Sequence, residues 1–306
     1  MNFYWSNTLS SRVIPKNVFA ELPQTYEVSK EQFRFYDENG FLVIKELIDF
    51  ESLYSYKKRF VQVCNGLVDK GSMTIVKEPS LVDKQRKPED YVNKLNDVLY
   101  DDVFATYVEH PRLLHVLSQF IGDEITAVNS MMINKPPGTD RHPPHQDLFY
   151  FPFRPADKII AAWTAIDHVD FQNGCLYVIP GSHKEKKIYE HGNVGISKKL
   201  YHGIINEDAI APAAKRVQLE MSPGDTVFFH PLLVHGSGAN VSKNYRKSMT
   251  CHFASGDCYY IDVKGTIQEE LANEIVGEAK RRGFDLTFQE TWKYRSKIVK
   301  GVRSNL

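Results

Sequence analysis

Two histidines, an aspartate and an arginine frame the chemistry this sequence could do. His145 and Asp147 sit in the stretch RHPPHQDLFYFPFRP, residues 141–155. On an extended chain, residues i and i+2 share a face, so both side chains can reach one ion. A third ligand must come from elsewhere, and the downstream segment DTVFFHPLLVHGSGANVSKNYRKSMTCHF holds His230, His235 and His252. Two histidines and a carboxylate on one face of an octahedral ion leave three positions open, an arrangement suited to non-haem iron(II) oxidation. Arg246 follows and begins an alternating run in which Arg246, Ser248, Thr250 and His252 face one way. An arginine can hold a carboxylate in two parallel hydrogen bonds. A metal with an arginine nearby therefore suits a chelating dicarboxylate.

The tripeptide alone does not decide between a metal clamp and a polar patch. His168-Val169-Asp170 repeats it, just before the turn signal Gln172-Asn173-Gly174, and reads as polar groups at a loop edge. His230 precedes Pro231 and reads as the cap of a strand, and His142 reads as a loop residue. Gly-Ser-Gly after His235 leaves little bulk, so a ligand could approach the backbone there.

These residues need rigid elements behind them. Ser29-Lys30-Glu31-Gln32 has the form of a capping box, and Asn39-Gly40 ends the helix it starts. FLVIKEL reads as a buried strand, and Asp49 as the cap of the helix that follows. Residues 88–121 read as helical, with Pro111 in a first turn and Gly122 at the stop. From about 122 to 263 the texture changes to short β-rich runs separated by Gly, Pro and Asn, as in ITAVNSMMIN, KIIAAWTAI and DTVFFHP. That spacing argues for an antiparallel sandwich or jelly roll and against a parallel βαβ sheet. A last helix is expected over 267–282, from Thr266 to Gly283. Residues 1–28 read as an irregular arm, and 29–306 as one domain whose β core spans about 122–263.

The totals exclude several classes. With 38 basic and 38 acidic residues the formal charge is zero, so nothing marks a nucleic-acid partner. No run of apolar residues is long enough for a membrane span, and MNFYWSNTLS lacks the pattern of a secretory signal. Cys64, Cys175, Cys251 and Cys258 form no paired motif and read as free thiols of a reducing compartment. H-E-x-x-H is absent, which argues against a zinc hydrolase.

The blocks RHPPHQDLFYFPFRP, AAWTAIDHVDFQNGCLYVIPGSHK and GDTVFFHPLLVHGSGANVSKNYRKSMTCHFASGDCYYIDVKG resemble the phytanoyl-CoA dioxygenase family. The resemblance runs from about QFRFYDENGFLVIK to the C-terminus. It implies a double-stranded β-helix, a jelly-roll variant with flanking helices, that uses Fe(II), 2-oxoglutarate and O2, with ascorbate as a candidate reductant. By position, His145, Asp147 and His235 would ligate iron, and Arg246 with Ser237 would hold the distal carboxylate of 2-oxoglutarate. Trp163, Met131 and Lys94 would line the cosubstrate pocket, and Gln146 would contribute backbone or side chain to it. Read without the resemblance, Trp163 is a core aromatic, Met131 core filler and Lys94 a solvent-facing helical lysine. The implied reaction is 2-hydroxylation of a 3-methyl-branched fatty acyl-CoA such as phytanoyl-CoA, in fatty-acid α-oxidation. The alternatives are the same chemistry on another small lipid or metabolite, and a metal-binding jelly roll without turnover. The final Ser304-Asn305-Leu306 resembles a Ser-Lys-Leu peroxisomal address. A peroxisomal protein met by an import receptor is thus expected, or a cytoplasmic one if that tripeptide is not read.

Overall fold

A computed structural model describes residues 24–82, 86–193 and 202–306. Most of the expected arm lies outside the described residues, and its residues 24–28 are irregular.

The first helix, Lys30–Asn39, starts where the sequence says it should. Ser29 Oγ accepts from the Gln32 amide at 3.2 Å, and Gln32 Oε1 accepts from the Ser29 amide at 2.9 Å. Gly40, at φ 81°, closes the helix in the left-handed region that a side chain disfavours. Asp49 caps Phe50–Cys64 by accepting from the Ser52 amide at 2.8 Å. Pro111 opens the helix Pro111–Ile121 and Gly122 ends it.

The wide sheet has eight strands, all antiparallel. Its order is Phe41–Ile44, Thr226–Phe229, Ile159–Ala165, Arg246–Ser255, Ile125–Lys135, Val92–Asn96 and Thr74–Lys77, with Ser296–Lys300 also pairing along Ile125–Lys135. A narrow sheet of four, Val217–Leu219, Leu176–Val178, His235–Ser237 and His142–His145, faces it. The period of two then sorts side chains between two cores. On Ile159–Ala165, Ile160 and Ala162 pack outward with the helices, while Ala161, Trp163 and Ala165 pack inward against Leu176, Val178 and Leu233. On Arg246–Ser255, Met249, Cys251 and Phe253 face the helical layer, which leaves Arg246, Ser248, Thr250 and His252 on the inner face. The jelly roll and the one-faced run are as expected.

Four strands lie outside the β window of 122–263: Phe41–Ile44 is the strand expected at FLVIKEL, while Thr74–Lys77, Val92–Asn96 and Ser296–Lys300 are additions. The largest departure is at 88–121, which is not one helical stretch. It holds short turns at Pro88–Asp90 and Val98–Tyr100, the strand Val92–Asn96, and helices at Ala105–Val108 and Pro111–Ile121. VNKLN carries only two apolar residues, and what makes it a strand is pairing with Thr74–Lys77 and Ile125–Lys135. Lys94 therefore sits on a strand, half-buried, and not on a helix. The last helix spans Glu269–Arg281, and a further helix, Phe288–Tyr294, follows it.

His142–His145 contains two consecutive prolines. It is tolerated because it is the edge of the narrow sheet and the residues it pairs are His142 with Ser237 and His145 with His235. His142 is thus a strand residue, not a loop residue. Along Arg246–Ser255 the register slips once: Thr250 faces Met131 but His252 faces Val128, so the partner strand carries one extra residue. Asn129, at φ 55°, absorbs it.

Candidate active site

The edge strand and its neighbour bring the expected ligands together. His145 and His235 are direct cross-strand partners, with ring centroids 4.2 Å apart. Asp147 is not on the strand: it opens the short turn Asp147–Tyr150, which swings its carboxylate under both imidazoles. Asp147 Oδ1 lies 3.4 Å from His145 Nε2, and Oδ2 lies 3.7 Å from His235 Nε2. One donor atom from each of the three residues lies within 4.8 Å of the others, and all three residues are buried.

The imidazoles are oriented by the backbone. His145 Nδ1 lies 3.0 Å from the Pro143 carbonyl, and His235 Nδ1 lies 3.0 Å from the Leu233 carbonyl. A carbonyl only accepts, so each Nδ1 carries the hydrogen and each Nε2 presents its lone pair inward. Burial pushes the His235 pKa down to about 4, partly countered by Asp147, so that ring is neutral near pH 7. Burial alone would raise the Asp147 pKa, but the electrostatic pull of the His235 and His252 imidazoles and the hydrogen bond from His252 hold it well below the usual carboxylate range. Two imidazole Nε2 atoms and a carboxylate held ionised, converging on one point, are the donor set that Fe(II) takes.

Sequence reasoning gave no role to His252 as a partner of Asp147. His252 Nε2 lies 2.7 Å from Asp147 Oδ2, and because a carboxylate only accepts, it donates there. A ligating carboxylate held this way keeps its orientation before metal arrives. The signal in sequence was the alternating run that put His252 on the inner face.

The second part of the site lies on the wide sheet. Arg246 is 3 % exposed, its guanidinium 5.3 Å from the Trp163 ring, and Nη2 donates to the Gly174 carbonyl at 3.1 Å. Ser237 lies two residues along from His235, about 7 Å at strand spacing, a span that a short dicarboxylate chelated at one end covers. Trp163, Thr250, Met131 and Asn96 form one cross-sheet row, and Lys94, Ile133 and Ser248 the next. Lys94 reaches the site electrostatically: its charge is among those that, after burial, hold the His142 pKa well below normal. The structure thus brings Trp163, Met131, Lys94, Ser237 and Arg246 to the inner face.

Gln146 is placed differently. Its amide donates to the Leu232 and Lys187 carbonyls at 2.8 and 3.1 Å, and its Oε1 accepts from the Tyr189 amide at 2.8 Å. Its own backbone N–H donates to His191 Nε2 at 3.0 Å. Every polar atom of the side chain thus ties the ligand strand to the segment that follows Glu185. Gly236, directly after His235, also differs from expectation. A Cβ on Gly236 would strike the Tyr177 hydroxyl and lie 2.8 Å from the His142 carbonyl, so its missing side chain admits neighbouring strands and not a ligand. The aromatics of the opening stretch divide in two. Phe151 and Phe153 stack at 5.1 Å and pack on Trp292 in a core, whereas Phe149 stacks on His191 at 4.3 Å and Tyr150 meets His202. His168 is exposed, 3.7 Å from Asp170, and His230 caps its strand end by accepting from the Leu232 amide at 3.1 Å. All four cysteines are free.

A two-histidine, one-carboxylate group on the narrow sheet of an antiparallel double sheet, with an arginine buried on the wide one, defines the class of Fe(II)- and 2-oxoglutarate-dependent oxygenases. The fold agrees with solved members. The chain is similar to EctD from S. alaskensis, solved with 2-oxoglutarate and 5-hydroxyectoine, at TM-score 0.61 and 20 % identity over 76 % of this chain and 78 % of that one. It is similar also to the non-heme alpha ketoglutarate dependent carbocyclase SnoK from nogalamycin biosynthesis, at TM-score 0.56 and 22 % identity over 76 % and 86 %. Residues 36–248 match the family model for phytanoyl-CoA dioxygenase (PhyH). The peroxisomal phytanoyl-CoA dioxygenase of Rattus norvegicus is 43 % identical over 91 % of this chain and 85 % of its own, and that of Homo sapiens 40 % over 98 % and 91 %. A probable phytanoyl-CoA dioxygenase of Caenorhabditis elegans is 42 % identical over 91 % and 95 %. The chain belongs to the phytanoyl-CoA dioxygenase family.

Proposed function

We propose that this protein hydroxylates carbon 2 of a fatty acyl-CoA such as phytanoyl-CoA, coupled to decarboxylation of 2-oxoglutarate. The observation that carries the reading is the buried His145, Asp147 and His235 group in a chain 43 % identical to a phytanoyl-CoA dioxygenase over 91 % of its length. His145 and His235 offer Nε2 and Asp147 its carboxylate to Fe(II), while His252 steadies the carboxylate. Arg246 and Ser237 grip the distal carboxylate of 2-oxoglutarate, with Trp163, Met131 and Lys94 along its flank. Bound iron and cosubstrate supply the oxidation, in which one atom of O2 enters succinate, released with CO2, and the other enters the substrate C–H bond. Gln146 has a bracing role, holding the ligand strand and the segment at Lys187–His191 together so that the site stays closed to bulk water.

Anaerobically purified protein loaded with Fe(II) is expected to release succinate when O2, 2-oxoglutarate and phytanoyl-CoA are present. A panel of branched and straight acyl-CoAs sets the preference. Succinate release that no acyl-CoA stimulates would count against the substrate assignment.

Relatives of this chain are named as peroxisomal, and we extend the proposal to import into that compartment through Ser304-Asn305-Leu306. A fluorescent protein carrying the last dozen residues should enter peroxisomes and stay diffuse once Leu306 is deleted. Diffuse signal in both cases sinks the import reading alone.

A further inference from the structure

Lys135 is a buried cation with no role in the chemistry above. It ends the strand Ile125–Lys135, is 5 % exposed, and stands directly opposite Arg246 in the register. Like charges directly opposed across strands destabilise a sheet, and burial strengthens the repulsion. Among the described residues no carboxylate lies within ion-pairing distance of Lys135. Its Nζ donates instead to Ser237 Oγ at 3.0 Å and to the Gly238 carbonyl. The position is enforced. Asn240 Nδ2 donates to the Lys135 carbonyl at 2.7 Å, and a Cβ on Gly174 would lie 3.0 Å from Lys135 Cδ.

An ammonium has donors only. Ser237 Oγ therefore accepts from Lys135, and its own hydrogen is left to donate to something else. Two opposed buried cations beside a hydroxyl turned donor make a cradle for an anion.

We propose that Lys135 is the second cation of the 2-oxoglutarate pocket, offsetting the distal carboxylate together with Arg246 and turning the Ser237 hydroxyl toward it as a donor. This rests on reading Arg246 and Ser237 as the end of the pocket that takes that carboxylate. Lys135 is then a positioning residue, acting through Ser237 and through its charge. Burial first, and then the charge of Arg246, press its ammonium toward neutrality, with Asp140 and Glu78 pulling the other way more weakly, and a bound carboxylate would offset the remainder.

The test is anaerobic binding to the Fe(II)-loaded protein. One ligand is 2-oxoglutarate. The other is 2-oxopentanoate, which keeps the chelating keto acid and carries a methyl group in place of the distal carboxylate. In K135M the Kd for 2-oxoglutarate is expected to rise about 10- to 100-fold, as for loss of a hydrogen-bonded charge, while the Kd for 2-oxopentanoate stays at the wild-type value. Equal weakening of both ligands is the signature of a merely structural lysine and overturns the proposal, as does no change in either. K135Q gives the same reading if K135M fails to fold. An R246M control separates the two levels: if it too leaves the preference for 2-oxoglutarate intact, the pocket reading fails, and if it erases that preference while K135M does not, only the role of Lys135 fails.

Discussion

Asp147→Ala is expected to lose its iron and its turnover together. The carboxylate is the only anion among the three converging donors, so its removal leaves a dication facing two imidazoles and no negative charge. Changes in residues that merely support a ligand cost about 10- to 100-fold in metal affinity, and loss of the ligand itself should exceed that range. The substitution also strands His252, whose Nε2 donates to Asp147 Oδ2 at 2.7 Å and would face a buried void. An unmet buried donor costs about 1–3 kcal/mol, so a lowered melting temperature should accompany the loss. Iron content after anaerobic dialysis and succinate release report the two effects separately. Retained iron with retained turnover would remove Asp147 from the ligand set.

Arg246→Met should raise the Kd for 2-oxoglutarate by roughly 100-fold or more, as expected for two charge-assisted hydrogen bonds. Iron should still bind, because His145 and His235 stand on the other sheet and Asp147 on the turn that follows its edge strand. Arg246→Lys should recover only part of the affinity, since an ammonium cannot reproduce the planar fork. Titration of the iron-loaded protein without oxygen measures this directly. An unchanged Kd would place the dicarboxylate elsewhere.

How much of this was legible beforehand depends on how local each feature is. Ser29, Asp49, Pro111 and Gly122 act within one helical turn, and their roles stand in the structure as the sequence implies. The inner face of Arg246, Ser248, Thr250 and His252 follows from the period of a strand and was equally readable. The contact between His252 and Asp147 joins residues 105 apart, and nothing near either announces it. Lys135 and Ser237 are 102 apart, with the same result. Val92–Asn96 reads as helix because its polar residues mask an alternation that only two distant neighbours make meaningful. The family resemblance implies that Gln146, between two ligands, contributes backbone or side chain to the pocket. The turn at Asp147 sends its amide to Lys187, Tyr189 and Leu232 instead.

The paired prolines of His142–His145 bear on assembly as well as on chemistry. An open sheet edge is a template for a further strand, from another copy or from a foreign peptide, because it offers a row of unpaired amides. Pro143 and Pro144 remove the N–H groups of two of the four residues on this edge. The strand that carries His145 is therefore a poor acceptor for strand addition. Self-association by sheet extension, which would crowd the ligand strand, is disfavoured at the one edge where it would cost the site most.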